Sequence, residues 1–215
     1  MRKAALSLVM IFIITGGFMQ AQELQTIKLP APTLQDDKPL MQALEERKSS
    51  REFSEKELSQ QDLSNILWAA NGINRPETGH RTSPSARNIQ DIDIYTILKD
   101  GAYRYDPRHH ELVLIVAGDY RKDAGMQGYV ATAPLNLIYV SDLSKMSMYK
   151  DHDEVILTAG IDAGHCSQNV YLYGAAAGLG VVVRTSVDRE KLAEILKLKS
   201  KQMVIMGQTV GFWKK

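Results

Sequence analysis

From about Asp153 to Gly178 the chain is mostly apolar, free of proline, and punctuated by small residues at Gly160, Gly164, Gly174 and Gly178. That pattern predicts one long helix. It also carries Asp162, His165, Gln168 and Asn169 along its length, and ionisable and amide groups spaced this way exclude a membrane span. The helix must therefore be packed by protein, and its small residues allow close approach by a neighbour from this chain or from a second subunit. Its glycines are not a dinucleotide fingerprint. That motif runs strand, glycines, helix, whereas here a helix ends in glycines and the strand Val181-Val182-Val183 follows.

Other elements group around this helix. Leu40, Ala43 and Leu44 predict a short helix leading into Arg47-Lys48-Ser49-Ser50-Arg51-Glu52-Phe53. Ser59 followed by Asp62 reads as a capping box, and Leu63, Ile66, Leu67 and Ala70 form one helical stripe ending at Asn71-Gly72. Residues 73 to 91 read as polar loop. Ile92, Ile94, Thr96 and Leu98 alternate before Asp100-Gly101, with Tyr103 and Tyr105 beyond, which predicts a hairpin. Leu135 to Val140 predicts a buried strand, Asp188 to Leu196 a capped helix, and Met203 to Met206 a last strand. Helices and strands mix without strict alternation, so the fold class is α+β. With 215 residues in all, one domain over 38–215 accounts for the chain.

The N-terminus reads as an address. Arg2 and Lys3 precede the uncharged run Ala4 to Met19, and Ala21 is followed by polar Gln22. This predicts a signal peptide over 1–21, cut near Ala21, and export, in a bacterium to the periplasm. An anchor reading is weaker, because Ser7, Thr15, Gly16 and Gly17 interrupt a run shorter than the ~20 residues of a comfortable span. Residues 22–37, with Pro30 and Pro32, read as an extended lead-in rather than a packed element. With 26 Lys/Arg against 25 Asp/Glu, no global field favours nucleic acid, and any anion site must be local. The single cysteine, Cys166, excludes an internal disulfide and a multi-cysteine metal site.

Two guanidiniums four residues apart with a hydroxyl between, Arg47-x-Ser49-x-Arg51, can converge on a phosphate, although a basic turn often simply faces water. Ser83-Pro84-Ser85-Ala86-Arg87-Asn88-Ile89-Gln90 runs into the Ile92 strand, where the Asn88 amide could meet a heterocycle with mixed donor and acceptor edges. Ordinary turn chemistry explains it equally well. His109-His110, His152 and His165-Cys166 match no metal-ligand spacing, so no metal is expected. Inside an apolar helix Cys166 reads as packing.

Taken in order, R-x-S-x-R, then P-S-x-x-N-x-Q before a strand, then D-x-G-x-x-x-Q-N in a helix ending in A-x-G-L-G, the chain resembles the flavin-dependent nitroreductase superfamily. Gly101-Ala102-Tyr103-Arg104-Tyr105-Asp106-Pro107 with His110-Glu111-Leu112 resembles its SagB-type dehydrogenase branch. The likeness spans about Leu40 to Gly211. It implies a nitroreductase-like α+β fold, with a central mixed or antiparallel sheet flanked by helices, an intertwined homodimer, and FMN at the subunit interface. Carried over by position, Arg47, Ser49 and Arg51 would hold the phosphate and ribityl chain, and Asn88 the pyrimidine edge. The backbone at Val183, Arg184, Thr185 and Ser186 would lie beside the reactive flavin nitrogen; Lys48, Gln90 and Gln168 are further candidates. The implied activity is transfer of a hydride or electron pair between FMN and a small organic substrate in alternating half-reactions. The alternative is a secreted protein that binds flavin or another planar ligand without turnover. Relatives carry basic phosphate-binding residues in a longer C-terminal extension, a role left here to Lys214 and Lys215. The short stretch before Leu135 suggests no helical lid.

Overall fold

A computed structural model of the chain describes residues 25–34 and 38–214. The elements are β1 (Thr26–Lys28), α1 (Leu40–Glu46), α2 (Gln60–Asn71), β2 (Ile73–Arg75), β3 (His80–Arg81), β4 (Ile92–Ile97), β5 (Gly101–Asp106), β6 (Glu111–Ala117), β7 (Leu135–Asp142), α3 (His152–Ala176), β8 (Leu179–Arg184), α4 (Arg189–Ile195) and β9 (Gln202–Phe212). Seven strands form one sheet in the order β1-β6-β5-β4-β7-β9-β8, and each neighbouring pair is antiparallel. No helix among the described residues is long and apolar enough to cross a membrane.

Local chemistry explains most element ends. Ser59 caps α2 in a reciprocal capping box with Asp62, and Asp151 and Asp188 cap α3 and α4 through side-chain oxygens. One sheet face packs on α2 and α3, uniting Leu63, Ile66, Leu67, Ala163, Cys166 and Val170 with strand residues such as Ile94, Leu137 and Val181. The other face meets α4 through Leu192, Ile195, Ile138 and Val140.

Three expectations change. The lead-in is packed where it is described: Thr26–Lys28 pairs with β6, and Leu29 is buried. Residues 73–91 are not all loop, since β2 and β3 form a small hairpin. The last strand runs to Phe212 rather than stopping at Met206. Residues 118–134 hold two 3₁₀ turns, at Arg121–Asp123 and Gly128–Ala131, and no α-helix, as the short spacing suggested. Residues 1–21, where a signal peptide is expected, lie outside the described residues.

The glycines of the α3–β8 junction serve internal packing. Gly178 turns the chain at φ +69°, and a Cβ on Gly174 would lie 2.4 Å from Val181 Cγ2. Gly174→Ala is expected to destabilise the fold by ~1–3 kcal/mol through overpacking. A chemical-denaturation midpoint matching the unmodified protein would contradict this. Gly160 and Gly164 differ, because a Cβ there would meet nothing within 4 Å.

Candidate functional site

The Arg47–Phe53 segment leaves α1 and runs along the outer edge of β8. Ser49 makes an isolated parallel bridge to Val181, and Ser50 N–H donates to the Val181 carbonyl at 2.9 Å. Close approach there requires Gly180, where a Cβ would stand 3.1 Å from Ser50 Cβ. The Tyr171 hydroxyl accepts from Val183 N–H at 2.9 Å and lies 2.9 Å from Ser49 Oγ. The Ser49–Tyr171 bond can run in either direction; with the Tyr171 proton on Ser49, the Ser49 hydroxyl is free to donate outward. Arg47 stacks over the Tyr171 ring at 5.3 Å. Among the described residues neither Arg47 nor Arg51 forms an ion pair, so both guanidiniums keep donors for an anion.

The chain end joins this basic edge. Phe53 bridges Trp213, Lys48 sits 4.9 Å from the Trp213 ring centroid, and Lys56 sits 4.1 Å from that of Phe212. A cavity of about 590 Å³ is lined by Phe53, Lys56, Thr132 and Lys214. A second, of about 510 Å³, shares Phe53, Thr132 and Lys214 and adds Arg51 and Tyr129. Lys214 thus lines the same cleft as Arg51; Lys215 lies outside the described residues. Sequence reading missed Tyr171 and Trp213 here. Tyr171 carries no local signal, while the aromatic-basic ending Trp213-Lys214 could have suggested a role.

The second candidate segment holds three left-handed non-glycine residues, Arg87 (φ 50°), Asn88 (φ 55°) and Gln90 (φ 50°). Such backbone persists only where surrounding bonds impose it. Ser83 Oγ donates to Asn71 Oδ1 and accepts from Cys166 Sγ; Ser85 Oγ accepts from Gln90 N–H; both Asp162 oxygens accept from Ala86 N–H at 3.0 and 3.1 Å. Gln90 is an anchor rather than a ligand contact. Its Oε1 accepts from Arg81 Nε, and its Nε2 donates to the Gly79 carbonyl and to Asn88 Oδ1. That last bond orients Asn88, whose exposed Nδ2 has no partner among the described residues.

α3 ties both segments together. It holds the loop through Asp162 and the basic edge through Tyr171, nine positions further along and so about 13 Å at ~1.5 Å per residue. Uncommitted donors therefore stand beside the middle and the C-terminal part of one helix, a separation suited to a ligand with an anionic end and a planar end. Between them Gln168 is exposed on α3 and makes no hydrogen bond among the described residues.

At the end of β8 the expected backbone contacts are revised at one group, Val183 N–H. Val183 N–H is committed to Tyr171, so it offers nothing to a ligand. Thr185 and Ser186 are exposed beyond the last paired residue, and Ser186 Oγ accepts from Gln127 Nε2 at 2.5 Å. Arg184 turns its side chain into the opposite layer. There it donates to Thr209 Oγ1 (2.6 Å), the Ala124 carbonyl (2.7 Å) and Asn136 Oδ1 (3.1 Å), with Nε unpartnered. Burial without a carboxylate pulls its pKa down to about 10.

Other reactive groups are occupied. Burial pushes the Cys166 thiol up to about 12, against a nucleophilic role. The Ser64–His110 contact at 2.7 Å resembles a catalytic pair, but Ser64 Oγ donates to the Pro30 carbonyl and Tyr105 OH lies 2.8 Å from His110 Nδ1. Nε2 therefore carries the proton toward Ser64, and the chain of bonds ties the lead-in down. Asp106, His109 and Glu111 bring ligand atoms within 4.8 Å of one another in the β5–β6 turn, where His109 Nδ1 lies 2.9 Å from Asp106.

The pattern of the nitroreductase family matches residues 44–212. The chain belongs to that family. A nitroreductase homologue of Methanocaldococcus jannaschii is 30% identical over 192 residues, covering 84% of this chain and 95% of the relative. A crystal structure of a nitroreductase homologue from Ralstonia eutropha JMP134 superposes with TM-score 0.83 at 41% identity, over 88% of this chain and 90% of that one. The NADPH:FMN oxidoreductase of Vibrio harveyi, solved with NAD+, shares the fold at TM-score 0.60 and 19% identity, over 82% of this chain and 69% of that one. The fold is thus nitroreductase-like, and membership makes the chain an oxidoreductase.

Proposed function

We propose that this oxidoreductase uses FMN, with Arg47, Ser49 and Arg51 on the phosphate and ribityl chain, Lys48 and Lys214 flanking them, and Asn88 on the pyrimidine edge. The observation that carries the reading is the placement of uncommitted Arg47, Arg51 and Asn88 donors beside the C-terminal part and the middle of α3, on backbone held by buried bonds. When bound, FMN supplies the two-electron chemistry, and the protein binds, orients and tunes it. Thr185 and Ser186 stand where exposed backbone can meet the ring. The V. harveyi relative, named for FMN, supports this choice of cofactor. The Gly101–Asp106 strand with Pro107 supports a SagB-type dehydrogenase subclass, in which a small organic substrate is oxidised.

A homodimer completes the reading. On α3, Leu157 is 65% and Ile161 49% exposed beside Gly160 and Gly164, and Leu40, Met41 and Leu44 of α1 are also exposed. Apolar faces of this kind mark association surfaces. The basic-apolar-small pattern of residues 1–21 supports export, which N-terminal sequencing of the mature protein tests. Outside the inner membrane NAD(P)H is scarce, so oxidation of substrate with electrons passed onward suits the chain better than NADH-driven reduction.

The test is to mix the purified protein with excess FMN, desalt, and record the visible spectrum before and after anaerobic dithionite. A retained flavin band that bleaches and returns on adding a quinone or nitroaromatic is expected. A colourless protein overturns the reading, and a flavin that no acceptor reoxidises selects the binding-protein alternative.

A further inference from the structure

Beneath the Asn88 loop lies a pair of acids that cofactor binding does not use. Asp91 is fully buried and Asp162 is 2% exposed. Asp162 spends both oxygens on Ala86 N–H. Asp91 Oδ2 accepts from Ser141 Oγ at 2.6 Å, while Asp91 Oδ1 has no donor. The two carboxyl groups lie within hydrogen-bonding reach of each other. Two buried carboxylates at that range cannot both ionise, and one proton between them also satisfies the orphaned oxygen.

We propose that Asp91 and Asp162 are positioning residues that share one proton, and that the protonated pair holds the Ala86–Gln90 backbone in the left-handed geometry that presents Asn88. Charged and titratable groups around the pair are His165 and Cys166 on α3, Arg81 on β3, Asp142 at the end of β7, and Lys145, whose Nζ donates to the Gln90 carbonyl. His165 Nδ1 stands 4.0 Å from Asp162 Oδ1 and is half exposed. Burial first, and then Asp162, push the Asp91 carboxyl up to about 7. The folded protein therefore binds a proton that the unfolded chain, with aspartate near ~3.9, has released. This contribution to stability is complete below about pH 4 and is lost as pH rises through about 7. The inference rests on the cofactor reading only for what Asn88 contacts; the proton and the loop can be tested without flavin.

Thermal midpoints of the flavin-free full-length protein from about pH 5 to about pH 8.5, compared with Asp91→Asn and Asp162→Asn, test the proton. The wild type is expected to lose stability with rising pH relative to Asp91→Asn, which hydrogen-bonds across the pair without a titrating proton; Asp162→Asn leaves Asp91 buried and so keeps part of the slope. A wild-type profile parallel to that of Asp91→Asn would overturn the shared proton. Hydrogen exchange over residues 83–91 tests the loop. Asp162→Ala should speed exchange at Ala86 about tenfold or more, while Asp162→Asn, which keeps an acceptor, should not; if the alanine variant does not fold, faster exchange in wild type above about pH 8 than at about pH 5, after correction for intrinsic exchange, is the same readout. Unchanged protection in each case overturns the positioning role. FMN titration adds the functional arm, with Asp162→Ala expected to bind about tenfold more weakly; equal affinity would show that the loop does not position the ligand contact. A wild type that binds no FMN sinks the cofactor reading, while the stability and exchange data still decide the pair.

Discussion

Replacing Arg47 and Arg51 together by alanine is expected to weaken FMN binding by about a hundredfold to ten-thousandfold. Each guanidinium lost removes a charge-assisted hydrogen bond worth ~1.5–3 kcal/mol, and the two sum to ~3–6 kcal/mol of binding free energy. Neither arginine is in an ion pair among the described residues, so the folded state should lose little, ~0.5 kcal/mol or less. Arg47 adds a stack on Tyr171, which makes it the larger contributor to any such loss. Titration of the double variant with FMN, followed by flavin fluorescence alongside a thermal melt, separates the two effects. An affinity within threefold of wild type in a protein that melts normally would refute the phosphate assignment.

Arg184→Ala is expected to destabilise the protein by about 3 kcal/mol or more. The change removes the only side chain among the described residues that donates to the Ala124 carbonyl and opens space beneath Gly125 and Gly207, both of which pack against the guanidinium. Orphaning a buried acceptor costs ~1–3 kcal/mol, and truncating a long buried side chain adds a comparable cavity cost. Arg184→Met separates packing from charge. It refills the volume and abolishes the cost of burying a cation that has no carboxylate partner, so it should recover much of the loss. Urea unfolding of the three proteins reads this directly. An alanine variant as stable as wild type would mean that the buried bonds of Arg184 carry no net weight.

Elements whose causes are local were legible in the sequence. The Ser59–Asp62 capping box started α2 where the stripe of apolar residues begins, and the run from Asp153 became α3 within a residue or two. Elements decided by distant partners were not. β9 continues through Gly207, Gln208, Thr209 and Gly211, residues that read as a break after Met206. In the fold Gln208 meets Tyr139 and the Ser167 carbonyl, Thr209 meets Asn136 and Arg184, and the two glycines leave room for Arg184 and Pro134. The same holds for β1, whose place depends on β6 rather than on its own sequence.

The candidate site divides along the same line. Arg47, Ser49, Arg51 and Asn88 could be nominated from sequence because their functional groups and spacing are written in short motifs. Other roles needed three dimensions. Polar residues of the second motif proved to be loop anchors, since Gln90 is spent on Arg81, Gly79 and Asn88. The Arg184 side chain is spent in the opposite layer, because strand alternation sends it toward Thr209 and Asn136, which leaves its backbone as the part on offer. Tyr171 and the buried Asp91–Asp162 pair come into play only when α3, β8 and the Asn88 loop meet. Sequence alone determined the α+β class and the chemical types on offer; tertiary structure decided which polar groups are left uncommitted, because that depends on hydrogen-bond partners dozens of residues away.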